Sequence, residues 1–144
     1  MNKIDKFSGN YRFLSNFYPA IIIHHGITYP TSEHLYQAAK TTDFELRKKI
    51  AALPTPGNAK RAGRNLKIRA NWDDIKVVIM KQIVLMKFKQ NPKLISMLTA
   101  TGNAYLEEGN TWGDKFWGVC GGVGENHLGE ILMDVRSYFK GLEY

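Results

Sequence analysis

From Asn71 to Lys89 the chain sets Ile75, Val78, Ile79, Ile83, Leu85 and Met86 at helical spacing. A helix that long, opened by Asn71 or Asp73, has to be buried against other elements, and the flanking segments supply mostly helices. Thr31 or Ser32 opens a helix running to about Lys40 or Thr41. Asp43 to Leu53 reads as a second helix, with Phe44, Ile50 and Leu53 inward, stopped by Pro54 and Pro56. Asn58 to Arg64 fits a short third. Asn91-Pro92 restarts a helix through Leu98, and Asn126 caps a last one, Leu128 to Phe139, with Leu128, Ile131, Leu132, Val135 and Phe139 inward. Extended structure is confined to a hairpin over Ile21 to Tyr29, turning at His25-Gly26, and to a short strand at Tyr105-Leu106. Strands and helices do not alternate, which argues against a doubly wound dinucleotide fold. The expected class is α+β, mainly helical, with a small N-terminal β-hairpin, as one domain over residues 1–144.

The 144 residues are enough for a core without covalent staples. The single cysteine, Cys120, excludes an intrachain disulfide or a cysteine-rich metal site. The start, MNKIDKFSGN, shows no apolar signal core, and the longest apolar runs are too short to span a bilayer. A cytoplasmic chain with no membrane partner is expected. The net charge of +7 is concentrated: Lys40 to Lys93 holds fourteen Lys or Arg against four Asp or Glu. That excess suits nucleic acid, phosphate esters or dinucleotides, or else solvated helix faces.

Four segments could carry chemistry. In YPTSEHLYQAAK, Glu33, Tyr36, Gln37 and Lys40 fall at offsets of three, four and seven from Glu33, on one helix face, while Leu35, Ala38 and Ala39 form a small apolar face opposite. Glu33 either complements the helix dipole or belongs to a rigid functional shelf. In AKRAGR, Arg61 and Arg64 share a face and would clamp a phosphate, or stand exposed beside Asp73 or Asp74. TWGDKFWGVCGGVGENHLG combines Trp112, Gly113, Asp114 and Trp117 with glycines 118, 121, 122 and 124, then Asn126 at a helix start. Such a loop lets backbone N–H groups approach an anion, or is only a flexible turn. In FLSNFYP, Ser15, Asn16 and Phe17 form either a clamp for a base or a structural turn. His24, His25, His34 and His127 show no zinc spacing, and GxSxG, P-loop and GxGxxG patterns are missing from the sequence.

In this order FLSNFYP, YPTSEHLYQAAK, AKRAGR, MKFKQNP, TWGD and GENHLGEILMDVR resemble the NADAR family, the YbiA-like N-glycosidases named for a link to NAD and ADP-ribose. The segments span Phe13 to Arg136, with an extra KFWGVC after TWGD. The resemblance implies the YbiA-like/NADAR fold and hydrolysis of a ribose C1′–N bond without metal or cofactor. It puts Glu33, Trp112 and Asp114 in the active site and makes Lys40 a candidate for direct attack on the ribose. Members act on riboflavin-pathway ribosylamino-pyrimidine phosphates, or remove ADP-ribose from guanine in DNA. The reading therefore takes Glu33, Lys40 and Asp114 as catalytic. Ser15, Asn16, Phe17, Tyr36, Gln37, Arg61, Arg64, Trp112, Gly113, Gly124 and Asn126 are taken as substrate-binding. ADP-ribosylated guanine in nucleic acid or as a free nucleotide is the first substrate and a ribosylamino-pyrimidine phosphate the alternative. A non-catalytic module that binds ADP-ribose or NAD derivatives is the reading from another class.

Overall fold

A computed structural model describes residues 2–142. In chain order it contains β1 (Lys3–Ile4), a 3₁₀ helix (Gly9–Leu14), β2 (Ile22–His24), β3 (Ile27–Tyr29), α1 (Ser32–Ala38), α2 (Phe44–Ala51), α3 (Pro56–Arg64), α4 (Trp72–Gln90), α5 (Pro92–Thr99), β4 (Tyr105–Leu106), β5 (Gly109–Asn110), β6 (Val119–Cys120) and α6 (His127–Gly141). This is the expected mainly helical α+β architecture. The chain forms two compact units: a central one, Asn16–Asn91, and a terminal one built from residues up to Ser15 together with those from Pro92 onward.

In the central unit β2 and β3 form the expected hairpin, pairing Ile22 with Tyr29, Ile23 with Thr28 and His24 with Ile27. Its two-residue turn uses positive φ at both His25 (50°) and Gly26 (76°), the twist that such hairpins favour. Gln90, at the end of α4, bonds Ile23 twice: its Oε1 accepts from the Ile23 N–H at 2.7 Å and its Nε2 donates to the Ile23 carbonyl at 3.0 Å. Thr31 caps α1 by accepting from the His34 N–H at 3.2 Å. The helix stops at Ala38, short of Lys40, because Arg69 turns the chain: its N–H donates to the Lys40 carbonyl (2.9 Å) and its guanidinium to that of Ala39 (3.4 Å). Asp43 caps α2, accepting from the N–H groups of Glu45 and Leu46. Phe44, expected inward, is 47 % exposed at the first helical position, with the Arg47 guanidinium over its ring. Thr55 caps α3, which begins at Pro56 and so two residues earlier than the sequence suggests.

The inward stripe of α4 also differs from expectation. Trp72, Met80, Ile83, Val84, Lys87 and Phe88 are buried, whereas Val78 is 59 % exposed and Ile75, Ile79, Leu85 and Met86 are half-buried. Apolar residues lie almost all round this helix, so spacing alone does not define a face. Lys87 is buried within the stripe, and burial pulls its ammonium down to about 7.

In the terminal unit β1 pairs in parallel with β4, and β5 with β6, where the sequence suggests only Tyr105-Leu106. The 3₁₀ helix has no counterpart among the elements expected from the sequence. The inward residues expected for α6 are all buried. Gly129 lies against β4: a Cβ there would overlap the Leu106 carbonyl oxygen and the Asn126 amide, whereas one at Gly141 would meet nothing.

Gly129→Ala should therefore destabilise the protein by about 2 kcal/mol in urea titration. Gly141→Ala, exposed near the end of the same helix, should be neutral or gain up to ~1 kcal/mol. For Lys87 the folded value of about 7 lies below the ordinary 10.5. Between the two the unfolded chain binds the additional proton, so wild-type stability should rise as pH increases through that window. Lys87→Met lacks this dependence. Its stability relative to wild type should fall by at least ~1 kcal/mol between roughly pH 6 and 10, read from paired urea melts.

Candidate functional site

All seven residues of α1 are buried, including Ser32, Glu33, His34 and Gln37. A buried polar group is costly unless it is bonded, so the environment must answer each one. Asn16 holds the N-terminus of the helix. Its carbonyl accepts from the Glu33 N–H (3.0 Å) and the Ser32 hydroxyl (3.2 Å), and its Oδ1 accepts from the same hydroxyl (2.9 Å). Its Nδ2 points to Met80 Sδ at 3.5 Å. His34 ties α1 to the segment after α2, its Nδ1 2.8 Å from Thr31 Oγ1 and its Nε2 3.0 Å from the Leu53 carbonyl. Burial lowers its pKa, opposed by the Leu53 carbonyl. A neutral ring carrying its proton on Nε2 satisfies both partners.

Gln37 donates from Nε2 to Glu33 Oε2 at 2.5 Å. Lys40 lies in the turn after the helix, its Nζ 5.6 Å from the centre of the Tyr36 ring, which itself stands 5.3 Å from Trp72. Burial lowers the Lys40 pKa. The Glu33 carboxylate opposes the shift, while Lys76, Arg64 and Lys60 reinforce it. The structure thus gathers Asn16, Glu33, Tyr36, Gln37, Lys40 and Arg64 around α1. Phe17, Arg61 and Arg64 are exposed, and Arg64 belongs to the group through its charge, which acts on Lys40. Four residues at this site escaped the sequence reading. Lys60 precedes Arg64 by one full turn, a better match to one face than Arg61. Trp72 and Lys76 stand one turn apart on α4, and Arg69 has no pattern that would reveal its role.

In the terminal unit, Trp112 is 64 % exposed beside Gly113 (φ 85°). Asp114 shapes its own loop: Oδ1 accepts from the Phe116 N–H (3.1 Å) and the Trp117 N–H (2.9 Å), and Asn110 bonds both its N–H and its carbonyl. Gly118 and Gly124 allow close backbone approach within the loop, since a Cβ at either would overlap Glu108 or the Gly118 carbonyl. Asn126 occupies the cap position of α6 in a left-handed conformation (φ 55°) but makes no capping bond with its side chain. Its amide instead fastens β4, donating to the Leu106 carbonyl (2.9 Å) and the Tyr105 hydroxyl (3.2 Å) and accepting from the Glu108 N–H (2.9 Å). Ser15 closes the 3₁₀ helix through its N–H. Among the described residues no group of three His, Cys, Asp or Glu could hold a metal ion, and no helix is long and apolar enough to cross a membrane.

Comparison with known proteins covers both sets of residues. The NADAR domain family model matches residues 5–140. The chain belongs to the NADAR domain family. It is 44 % identical over 131 residues to a riboflavin biosynthesis protein of Vibrio vulnificus, covering 89 % of this chain but 35 % of that protein. With the N-glycosidase YbiA of Shigella boydii it shares 40 % over 133 residues, 90 % of this chain and 82 % of the relative. The NMR structure of Escherichia coli YbiA superposes with a TM-score of 0.85 at 36 % identity, covering 100 % of this chain and 90 % of that one. The chain thus spans about a third of the Vibrio protein and most of YbiA.

Proposed function

We propose that this chain hydrolyses the C1′–N bond of a phosphorylated riboside beside the Glu33–Lys40 edge of α1, with ADP-ribose carried on guanine as the first substrate class. The chain is a hydrolase acting on N-glycosyl bonds, in keeping with its relatives named N-glycosidases. One observation carries the placement. A buried carboxylate and an amine disposed to lose its proton occupy one short segment, within the field of Lys60, Arg64 and Lys76. The carboxylate suits developing positive charge at C1′, and the cations suit a phosphate or pyrophosphate on the same sugar.

As the C1′–N bond breaks, positive charge grows on C1′ and the leaving nitrogen gains electrons and takes up a proton. Glu33 stabilises that charge or removes a proton from the incoming water, whose oxygen bonds to C1′. In a covalent variant the neutral Lys40 amine adds to C1′ of the ring-opened sugar, displaces the base as an amine and leaves an imine that water hydrolyses. The downward shift of Lys40 favours the neutral amine this requires. For Asp114 and Trp112 the proposed active-site roles rest on the family resemblance alone.

Glu33→Gln should lower kcat by roughly 10²–10⁴-fold while ligand affinity stays within a few fold; unchanged turnover would refute the assignment. Borohydride should trap a protein–sugar adduct in the wild type and not in Lys40→Ala, and trapping should weaken as pH falls and Lys40 takes up its proton. Failure to trap at any pH points to direct attack by water.

The excess of cations between Lys40 and Lys93 favours a polyanionic substrate. Turnover of a guanine-ADP-ribosylated oligonucleotide, followed by mass spectrometry and falling about tenfold or more with added salt, supports that choice. A second reading is favoured by relatives named riboflavin biosynthesis proteins in Vibrio vulnificus and Zea mays. Exclusive turnover of a ribosylamino-pyrimidine phosphate would establish it. Tight ADP-ribose binding with no product from either substrate would instead indicate a binding module.

A further inference from the structure

The amide of Gln37 has two ends in unlike situations. Nε2 donates to Glu33 Oε2. Oε1 is buried and has no hydrogen-bond partner among the described residues. Such an orphaned oxygen is unfavourable, so the packing around it must fix the amide there. Reversing the amide gives no relief, since Oε1 would then face the carboxylate oxygen of Glu33. The packing comes from α3. A Cβ built on Gly63 would overlap Gln37 Oε1 and come within 2.7 Å of Cδ and 3.3 Å of Cγ. Gly63 is buried in a regular helix without positive φ, so its backbone conformation does not call for glycine. The Gln37 side chain does.

We infer that Gly63 and Gln37 form a brace that fixes the Glu33 carboxylate from the α3 side, so that both are positioning residues and neither is a ligand of the substrate. The inference rests on the reading of Glu33 as the group that acts at C1′, and it departs from the expectation that Gln37 binds substrate. Two consequences follow. The N–H bond to Oε2 favours the ionised carboxylate, which is the form needed to stabilise a cation or accept a proton. The absence of a side chain at Gly63 sets how close Gln37 sits, and hence where Oε2 is held. A small displacement of a reacting group is costly in rate even when binding survives.

The test measures kcat and KM against pH for wild type, Gln37→Ala, Gly63→Ala, the double variant and Glu33→Gln. The probe is the guanine-ADP-ribosylated oligonucleotide or the ribosylamino-pyrimidine phosphate, whichever the wild type turns over. Gln37→Ala should move the acid limb of the rate profile upward by about one pH unit, because Glu33 then ionises without the Gln37 N–H bond, with KM within about twofold. Gly63→Ala should lower kcat by roughly 10- to 100-fold. In the Gln37→Ala background the same change should cost less than about twofold more, because no amide remains to be displaced. A raised KM with kcat and the acid limb intact in Gln37→Ala would overturn the brace and make Gln37 a substrate ligand. An unmoved acid limb together with fully additive losses would also overturn it. Should Gly63→Ala fail to fold, the Gln37→Ala profile decides alone. If Glu33→Gln keeps full turnover, the reading of Glu33 itself fails, a result visible without any change at Gln37 or Gly63.

Discussion

A seven-residue helix with every residue buried persists only if its polar groups are answered from outside, because so short a helix has little stability of its own. In α1 the answers come from chain neighbours on both sides. Asn16 bonds the first turn, Thr31 caps it, His34 reaches Leu53, and Arg69 takes the carbonyls at the end. These contacts leave the Glu33–Gln37 pair held on a helix that cannot rotate without breaking several bonds at once. Rigid support of this kind is what the role proposed for Glu33 requires.

Two lysines of the central unit show how different surroundings produce the same direction of shift. Lys87 and Lys40 are both shifted downward by loss of water. Around Lys87 desolvation is the whole cause. Around Lys40 three other cations add to it and one carboxylate opposes it, so the amine responds to any change in the charges beside it. An arriving phosphate would reduce the repulsion and change the balance between its two protonation states.

Much of this was legible in the sequence. The His25-Gly26 turn gave the hairpin, Thr31, Asp43 and Asn71 marked helix starts, and the periodicity of α6 named its buried face correctly. The stripe of α4 was not legible, because its apolar residues surround the helix and only the neighbouring elements select a side. The polar offsets in YPTSEHLYQAAK placed Glu33 and Gln37 in contact, since four residues make one turn. The same reasoning carried the helix on through Lys40, where a long-range bond from Arg69 ends it. Spacing could not show that Asn16 spends its side chain on Ser32 and Met80, or that Asn126 spends its own largely on backbone groups, because an asparagine next to a ligand and one bonded within the fold look identical in a sequence. Gly63 was hidden for the same reason, as nothing local asks for it.

The pairing of Gln90 with Ile23 has a consequence for assembly. A two-stranded hairpin leaves an outer row of N–H and C=O groups on which another chain could add a strand, and here Ile21 and Ile23 stand exposed beside that row. The Gln90 amide occupies both groups of Ile23, and Asn91 Nδ2 donates to the Ile21 carbonyl. Strand addition along the β2 edge of this hairpin is thereby blocked by two side chains at the tip of a helix, and the exposed isoleucines remain a surface without a template.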